Sequence, residues 1–358
     1  MKILTIAGTR PELIRLSIII EKLDNLVDHI FVYTNQNYDY NLSTRFFDDL
    51  KIRKPDYYFK GESQSFGEFF GFAIIEFEKI LIKERPDKIL ILGDTNSGLL
   101  SIVANKYKIP IYHMEAGNRC YDDRLPEESN RKIIDSISKY NLPYTDNSKE
   151  NLIREGFHKN FVFKTGNPIY EILWKFDPEI LSSIILDKLN INDKDYVLMT
   201  FHRSENVDNS EVLENIVDAI HHISLTTRVV ISLHPRTKNK LEVHNIDIIK
   251  SNNIILSPPL GFFDFVHLES RAKCVISDSG TVQEECCILG VPSLTIRDST
   301  ERQETIECGS NILCGTKREN IINAYETIKN RENQWDVPLD YMNLNVSDTV
   351  INILLGKS

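Results

Sequence analysis

Residues 2–12 read KILTIAGTRPE, an apolar run that is followed by a turn and by the start of a helix. The run is apolar on nearly successive positions instead of alternating, which is typical of a strand buried on both faces of a sheet. Gly8 permits a tight turn, and Pro11 suits the first helical turn, where its missing N–H costs little. This stretch predicts a buried strand that leads directly into a helix.

The same pattern recurs along the chain. Runs typical of buried strands occupy residues 29–34, 88–92, 109–113, 140–144, 161–164, 196–201, 228–233, 254–256, 274–277 and 292–296, with helical stretches between them. Strands that alternate with helices indicate βαβ units and parallel sheets. A chain of 358 residues is too long for a single hydrophobic core of ordinary size. We therefore expect an α/β fold of two domains, each with a parallel sheet.

The expected domain boundary is the turn cluster at residues 165–168, TGNP, which follows a strand and precedes a helical segment. The first domain would then span residues 1–168 and the second residues 169–345, with a last helix in residues 346–358. No linker rich in glycine or serine separates the domains. We therefore expect closely coupled domains that face a cleft.

Composition excludes several classes of function. The formal net charge of −10 makes nucleic acid and anionic membranes poor partners. The chain shows neither a signal-peptide pattern nor an apolar run of about 18 residues, so we expect no membrane insertion. Its six cysteines form no CxxC pair, which favours reduced thiols in the cytoplasm and gives no zinc spacing. Without a GxGxxG motif, we expect no dinucleotide cofactor, and we expect no metal.

Candidate functional residues follow the predicted strands, because ligands of open parallel sheets bind at the carboxyl ends of strands. Arg10 and the N–H groups at the start of the first helix would hold a phosphate; an ordinary helix cap with a surface arginine is the alternative. Residues 278–285, DSGTVQEE, would hold the other side of a diphosphate through Ser279 and a ribose through Glu285. The alternative there is a capping box with its glutamates on the solvent face.

Three carboxylates and two histidines are candidates for the chemistry. Asp94, Glu115 and Glu127 would supply an acid and a base, although Asp94 is also explained as a helix cap and Glu127 by the helix dipole. His202 and His234 each end a predicted strand of the second domain. A structural role is the alternative for these two residues, and a solvated loop is the alternative for residues 300–304, TERQE.

In this order, the motifs resemble the non-hydrolysing UDP-N-acetylglucosamine 2-epimerase family. They are GTRPE (8–12), GDTN (93–96), HxEAG (113–117), PEExNR (126–131), HRxEN (202–206), HP (234–235), DSGxxQEE (278–285) and TERxE (300–304). The resemblance implies the glycosyltransferase-B fold, in which two Rossmann-like domains face a cleft. It also implies that the last helix returns to the first domain.

The resemblance also implies roles for residues at matching positions. Its catalytic set is Asp94, Glu115, Glu127 and His202. Our substrate-binding set is Arg10, Arg15, Arg131, His234, Phe265, Ser279, Gly280, Thr281, Glu285 and Arg302. Within it, Arg10, Ser279, Gly280 and Arg302 match diphosphate contacts, and Glu285 matches the ribose anchor. Some family members have an activating site for UDP-sugar, which here would use Gln36, Gln64 and Arg203.

Departures from the common motifs concern the sugar. Arg15 replaces the usual lysine, and Asn118, Ser204 and Gln303 also differ from the common form. These variants resemble the branch that forms UDP-N-acetyl-L-fucosamine from its talose 2-epimer for capsule and O-antigen synthesis. They favour a 6-deoxy-L-sugar over UDP-N-acetylglucosamine as the preferred substrate.

The implied activity is inversion of C2 through elimination of UDP to a 2-acetamidoglycal, followed by re-addition of UDP. Arginines would stabilise the departing UDP, and carboxylates would remove and return the proton. We also expect a homodimer. The competing functions are a glycosyltransferase of the same fold, a hydrolysing epimerase and a non-catalytic nucleotide-sugar sensor.

Overall fold

The computed structural model describes residues 1–35, 46–59, 65–330, 332 and 334–356. It divides into a first unit, Met1–Trp174 with Asp340–Ser358, and a second unit, Lys175–Leu339. The divisions thus fall at 174/175 and 339/340, where the sequence led us to expect 168/169 and 345/346. Ile169, Ile172 and Leu173 are buried in the first unit, and the N–H of Asn167 donates to the carbonyl of Asp340. These contacts hold both segments in the first unit.

Each unit contains a sheet of six parallel strands. In the first unit, β1 Lys2–Ala7, β2 Asp28–Tyr33, β3 Tyr57–Tyr58, β4 Lys88–Leu92, β5 Ile111–Met114 and β6 Tyr140–Leu142 lie in the order β3-β2-β1-β4-β5-β6. In the second unit, β7 Tyr196–Thr200, β8 Arg228–Ser232, β9 Ile254–Ser257, β10 Cys274–Ser277, β11 Ser293–Thr295 and β12 Asn311–Leu313 lie in the order β12-β11-β10-β7-β8-β9. Counted within its own unit, each sheet has the Rossmann order 3-2-1-4-5-6. The expectation of two Rossmann-like units is confirmed.

Helices connect the strands in both units. Those of the first unit are α1 Arg10–Leu26, α2 Phe66–Glu84, α3 Ser101–Lys106, α4 Pro126–Ile137, α5 Asp146–Arg154 and α6 Ile169–Lys175. Those of the second unit are α7 Asp177–Leu181, α8 Ile185–Leu189, α9 Ser204–Val207, α10 Ser210–Ser224, α11 Pro235–Val243, α12 Phe262–Arg271, α13 Gly280–Leu289, α14 Gln303–Glu307 and α15 Arg318–Lys329. The last helix is α16, Val346–Leu355. Within these described residues, no helix has the length and apolar character needed to cross a membrane.

Strand β7 shows why its sequence is apolar at successive positions. Val197 and Met199 belong to one hydrophobic cluster, whereas Tyr196 and Leu198 belong to another. Successive side chains of a strand point to opposite faces, so both faces of this sheet are covered. All four residues are at most 1% exposed.

One predicted strand is wrong, and two strands were missed. Residues 161–164 form no strand; Val162 makes an isolated bridge to Asn141. The rings of Phe161 and Phe163 pack at a tilt against Tyr140 and remain partly exposed. The missed strands, β3 and β12, contain two and three residues at the edges of their sheets. Two tyrosines in β3, and three residues that begin with an asparagine in β12, do not form the apolar run that marks the other strands.

The last helix, α16, packs on α1 within the first unit. Its residues Val346, Val350 and Leu354 are fully buried. The ammonium of Lys88 donates to the carbonyls of Leu354 and Gly356, both at 2.7 Å, and so satisfies carbonyls at the end of the helix. The first unit is therefore assembled from both ends of the described chain.

Candidate active site

The Glu12 carboxylate is hydrogen-bonded to the turns that follow β1 and β4. Its carboxylate accepts hydrogen bonds from the N–H groups of Gly8 at 2.9 Å and Thr9 at 2.7 Å, and from the Thr95 hydroxyl at 3.0 Å. Burial raises the pKa of Glu12 to about 7, although these hydrogen bonds oppose the shift. Sequence reasoning missed this residue; the signal was the spacing of Thr9 and Glu12, which matches a capping box.

Gly8 is required by close packing at the same turn. A Cβ atom at this position would lie 1.9 Å from the Ser97 hydroxyl and 2.5 Å from the Thr34 hydroxyl. The turn after β1 is thus pressed against residues that follow β2 and β4. Arg10 follows at the start of α1, half-buried, with its guanidinium carbon 5.5 Å from the centre of the Phe46 ring.

Replacing Glu12 by glutamine is expected to remove a pH dependence of stability. Because its pKa in the folded protein is raised from 4.5 to about 7, its stabilising contribution is complete below about pH 4.5 and is lost as the pH rises through about 7. The free energy of unfolding should therefore fall more steeply between about pH 4.5 and 7 in the wild type than in the variant. Urea titrations across this range measure both slopes, and equal slopes would contradict the expectation.

Glu115 lies immediately after β5 in a left-handed backbone conformation, with φ at 65°. This conformation is unfavourable for a residue with a Cβ atom and is often found at functional sites. Its carboxylate is buried, forms a 2.6 Å ion pair with Arg15, and accepts a 3.3 Å hydrogen bond from the Asn118 amide. Arg15 and Asn118, two of the positions that depart from the common motifs, therefore both contact Glu115.

A second predicted carboxylate, Asp94, is also paired with an arginine. Asp94 follows β4, and its carboxylate lies 2.8 Å from Nε of Arg131 on α4. Arg131 is buried and also pairs with Glu128 at 2.7 Å. Glu127, in the first turn of α4, is half-buried. The structure thus pairs Asp94 with Arg131 and Glu115 with Arg15.

Behind these pairs lies a buried network that the sequence did not reveal. Asp135 of α4 accepts hydrogen bonds from His113 at 2.8 Å, from Arg119 at 2.7 Å and from the N–H of Gly117 at 3.3 Å. The other ring nitrogen of His113 lies 2.9 Å from the carbonyl of Gly93. The network contacts Gly93, next to Asp94, and Gly117, two residues after Glu115, and so fixes the turns that carry these two carboxylates.

In the second unit, Asp278 organises the loop that follows β7. Its carboxylate, which is fully buried, accepts hydrogen bonds from the N–H groups of His202 at 3.0 Å and Arg203 at 2.9 Å, and from the Asn206 amide at 3.0 Å. Asp278 follows β10, so one residue connects the ends of two neighbouring strands. In the sequence, Asp278 was visible only as part of the motif DSGxxQEE (278–285).

The two predicted histidines lie together. The rings of His202 and His234 stack with their centres 4.8 Å apart and an angle of 27° between their planes. His234 caps α11 by accepting a hydrogen bond from the N–H of Arg236. The His202 side chain is 42% exposed, so it is accessible to a ligand.

Helix α13 carries the remaining predicted contacts. Ser279 is its N-cap residue, and Glu284 and Glu285 are buried, so the alternative that placed these glutamates on the solvent face is wrong. Arg302 is buried and forms a 2.6 Å ion pair with Glu284. The alternative of a solvated loop for residues 300–304 is therefore also wrong at residues 300–302.

Gly280 lets residues 300–302 approach α13, because a Cβ atom at position 280 would lie 2.7 Å from a carboxylate oxygen of Glu301. Thr281 is buried in the same helical turn. Phe265 of α12 is half-buried and packs against the hydrophobic cluster that contains Val282. Ser279, Gly280 and Thr281 thus form one helix start, beside which Arg302 is anchored through Glu284.

The activator-site residues are only partly described. Gln36 and Gln64 lie outside the described residues. Arg203 follows β7 and lies 3.6 Å from Glu205 in an ion pair. Within the described ranges, no cluster of three or more histidine, cysteine, aspartate or glutamate side chains is arranged to hold a metal ion.

These arrangements can perform two kinds of chemistry. In the first unit, the buried Glu115 and the half-buried Asp94, each paired with an arginine, offer proton acceptors at strand ends. In the second unit, the start of α13 and Arg302 offer N–H groups and a cation suited to a phosphate, with a buried carboxylate one and a half turns further on.

Comparisons with known proteins agree with this inventory. The family model described as UDP-N-acetylglucosamine 2-epimerase matches residues 21–355. UDP-N-acetylglucosamine 2-epimerase of Methanocaldococcus jannaschii is 42% identical over 94% of this chain and 95% of that protein. UDP-2,3-diacetamido-2,3-dideoxy-D-glucuronate 2-epimerase of Pseudomonas aeruginosa is 35% identical over 91% of this chain and 92% of that protein. The crystal structure of the M. jannaschii enzyme with UDP-GlcNAc and UDP superposes with a TM-score of 0.93, at 41% identity and 99% coverage of both chains. The chain belongs to the UDP-N-acetylglucosamine 2-epimerase family.

Proposed function

We propose that this protein is an isomerase that inverts C2 of a UDP-N-acetylhexosamine without releasing free sugar. The observation that carries the proposal is the pair of strand-end carboxylates, Glu115 and Asp94, each held by a buried arginine, in a chain of this family. Such carboxylates are fixed in orientation, as proton transfer to a defined carbon requires.

The chemistry explains why both a cationic site and carboxylates are needed. The C2 proton of such a sugar is not acidic, because its neighbour is an acetamido group. If the C1–O bond breaks and UDP leaves with the electron pair, C1 becomes oxocarbenium-like and the C2 proton becomes acidic. Removal of that proton gives a 2-acetamidoglycal. Protonation of C2 from the opposite face and re-addition of UDP to C1 then give the epimer, with no net change in atoms.

The residues divide between these steps. Ser279, Gly280, Arg302 and Arg10 would hold the diphosphate, and Glu285 would hold the ribose. Asp94, Glu115 and Glu127 would remove and return the proton, while His202 would act near the leaving oxygen. Arg15 and Arg131 would orient the carboxylates with which they pair. The remaining substrate contacts in the proposal are His234, Phe265 and Thr281.

Two sugars are candidate substrates. The names of the relatives favour UDP-N-acetylglucosamine, with UDP-N-acetylmannosamine as its epimer. The motif variants at Asn118, Ser204 and Gln303 favour the 6-deoxy-L-talose to L-fucose conversion. The Asn118 amide contacts Glu115, so one of these variant positions lies beside a proposed catalytic group.

Incubating the protein with each UDP-sugar in D₂O tests the function. We expect NMR spectra recorded over time to show both C2 epimers, each carrying deuterium at C2, and no free sugar. The ratio of kcat/KM for the two sugars decides between the substrates. Free N-acetylhexosamine would instead indicate a hydrolysing enzyme, and an unchanged UDP-sugar without deuterium would support the sensor.

The proposal includes a homodimer that acts in the cytoplasm. Exposed apolar side chains on α2 support an interface, since Ile75 and Ile82, which are seven residues apart and so share a helix face, are 56% and 54% exposed. Light scattering coupled to size-exclusion chromatography measures the oligomeric state.

A further inference from the structure

Glu269 of α12 is a buried carboxyl group that no step above uses. Its side chain has no exposure to solvent. Within the described part of the chain, neither of its oxygens has an N–H or O–H group as a hydrogen-bond partner. An ionised carboxylate in such surroundings is strongly unfavourable, because nothing replaces its lost hydration.

The group that Glu269 contacts is a second carboxyl. Helix α12 packs on α13, and the Glu269 side chain is within hydrogen-bonding contact of the Glu285 side chain, which is 4% exposed. Two ionised carboxylates offer only acceptors, so a hydrogen bond between them requires a proton on one of them. Burial, and then the negative charge of Glu285, raise the pKa of Glu269 well above its usual value. The proton therefore resides on Glu269.

Other titratable groups around this pair do not supply that proton. The Tyr196 hydroxyl of β7 donates to the carbonyl of Leu268. The Lys194 ammonium donates to the carbonyls of Ser270 and Ala272, at the end of α12. Cys286, next to Glu285, is a buried thiol whose pKa is raised by burial. The Tyr196 hydroxyl and the Lys194 ammonium thus donate to backbone carbonyls and not to the Glu269 carboxyl, and the Cys286 thiol is uncharged.

We propose that Glu269 is a positioning residue that, as a neutral acid, donates a hydrogen bond to Glu285 and thereby orients Glu285 to accept both hydroxyls of a ribose. The proposal rests on the assignment of Glu285 to the ribose under the proposed function. One oxygen of Glu285 is fixed by the donor, and the negative charge stays on Glu285, where it strengthens its hydrogen bonds to the nucleoside. Glu269 thus contributes to recognition of ribose over 2′-deoxyribose without touching the ligand.

Two variants separate the donor from the packing. In Glu269→Gln, the side chain keeps its length, and its amide N–H can still donate a hydrogen bond. In Glu269→Met, the side chain has a similar volume but no hydrogen-bond donor. Isothermal titration with UDP and with 2′-deoxy-UDP gives the preference for ribose as a ratio of the two Kd values. We expect the ratio to stay within about twofold in Glu269→Gln and to fall by about tenfold in Glu269→Met.

The possible outcomes are distinct. If Glu269→Met weakens UDP and 2′-deoxy-UDP equally, the residue is only structural and the proposal is overturned. If the wild type shows no preference, or if Glu285→Gln leaves the preference unchanged, the ribose assignment of Glu285 fails, and this proposal fails with it. Epimerisation in D₂O is an independent readout, so the proposed function survives that result.

Infrared spectroscopy tests the protonation directly, even if Glu269→Met does not fold. We expect the wild type at neutral pH to show a carbonyl stretch of a neutral carboxylic acid that is lost in Glu269→Gln. Since Glu12 also has a raised pKa, the difference between these two proteins isolates the Glu269 band. An unchanged carboxylic-acid region in Glu269→Gln would mean that Glu269 is ionised, and would overturn the proposal.

Discussion

Replacing Glu115 by glutamine is expected to lower kcat by about 10²–10⁴-fold while the affinity for UDP changes little. The amide can still accept a hydrogen bond from Arg15, which contacts the Glu115 carboxylate at 2.6 Å, but it cannot take up a proton. Its loss of charge also leaves Arg15 without full compensation, so the thermal midpoint should fall. The kinetics are therefore measured well below that midpoint, on the same preparation used for UDP titration.

A matched control is Glu171→Gln. Glu171 is, like Glu115, 7% exposed and lies in the first unit, but it accepts a hydrogen bond from the N–H of Ser347 instead of contacting Arg15. This variant should lose stability without a comparable loss of kcat. If Glu115→Gln keeps near-normal kcat in a folded protein, Glu115 is not in the mechanism, and Asp94 and Glu127 remain as candidates.

The second large effect is on stability. Replacing Asp135 by alanine is expected to lower the free energy of unfolding of the first unit by about 3–5 kcal/mol, because Arg119 then loses one partner in a fully buried site. Alanine is favourable in a helix, so the loss reflects the side-chain contacts of Asp135 and not the conformation of α4. Burial raises the pKa of Asp135, but the hydrogen bonds from His113 and Arg119 outweigh burial and lower it. Its contribution to stability is thus present above pH 3.8 and is lost as the pH falls below that value.

The control for Asp135→Ala is Glu150→Ala on α5. Glu150 forms an exposed ion pair with Arg154, with side chains 58% and 72% exposed, and such pairs contribute about 0–1 kcal/mol. Denaturant titrations of both variants are fitted with separate transitions for the two units, since a chain with two units need not unfold in one step. A loss of less than about 1 kcal/mol in Asp135→Ala would contradict the importance of the buried network.

The fold was predictable because the interior strands are long enough to show their burial. The predicted run 88–92 coincides with β4, and 274–277 coincides with β10, since these strands lie between neighbours and are covered on both faces. Two edge strands, β6 and β9, also overlap predicted runs, whereas the edge strands β3 and β12 were not predicted. Tyr57–Tyr58 and Asn311–Leu313 are strands only because a neighbouring strand offers hydrogen-bonding groups.

The candidate site was predictable where a motif occupies a strand end, as for Glu115 and Asp94, and where two strand ends carry the same residue type, as for His202 and His234. What supports these residues was not. Asp135, Asp278 and Glu269 act through partners as distant in sequence as 76 residues, in the contact between Asp278 and His202. A carboxylate reads the same in sequence whether it is solvated or buried, so only the three-dimensional contacts assign its role.

The return of α16 to the first unit has a consequence for synthesis on the ribosome. Residues 175–339 form a continuous unit, whereas the first unit needs residues 340–356 to cover α1 and to occupy Lys88. The unit that begins first is therefore completed last, after the unit inserted within it has left the exit tunnel. Until then, the nascent chain exposes the apolar face of α1 that α16 later covers.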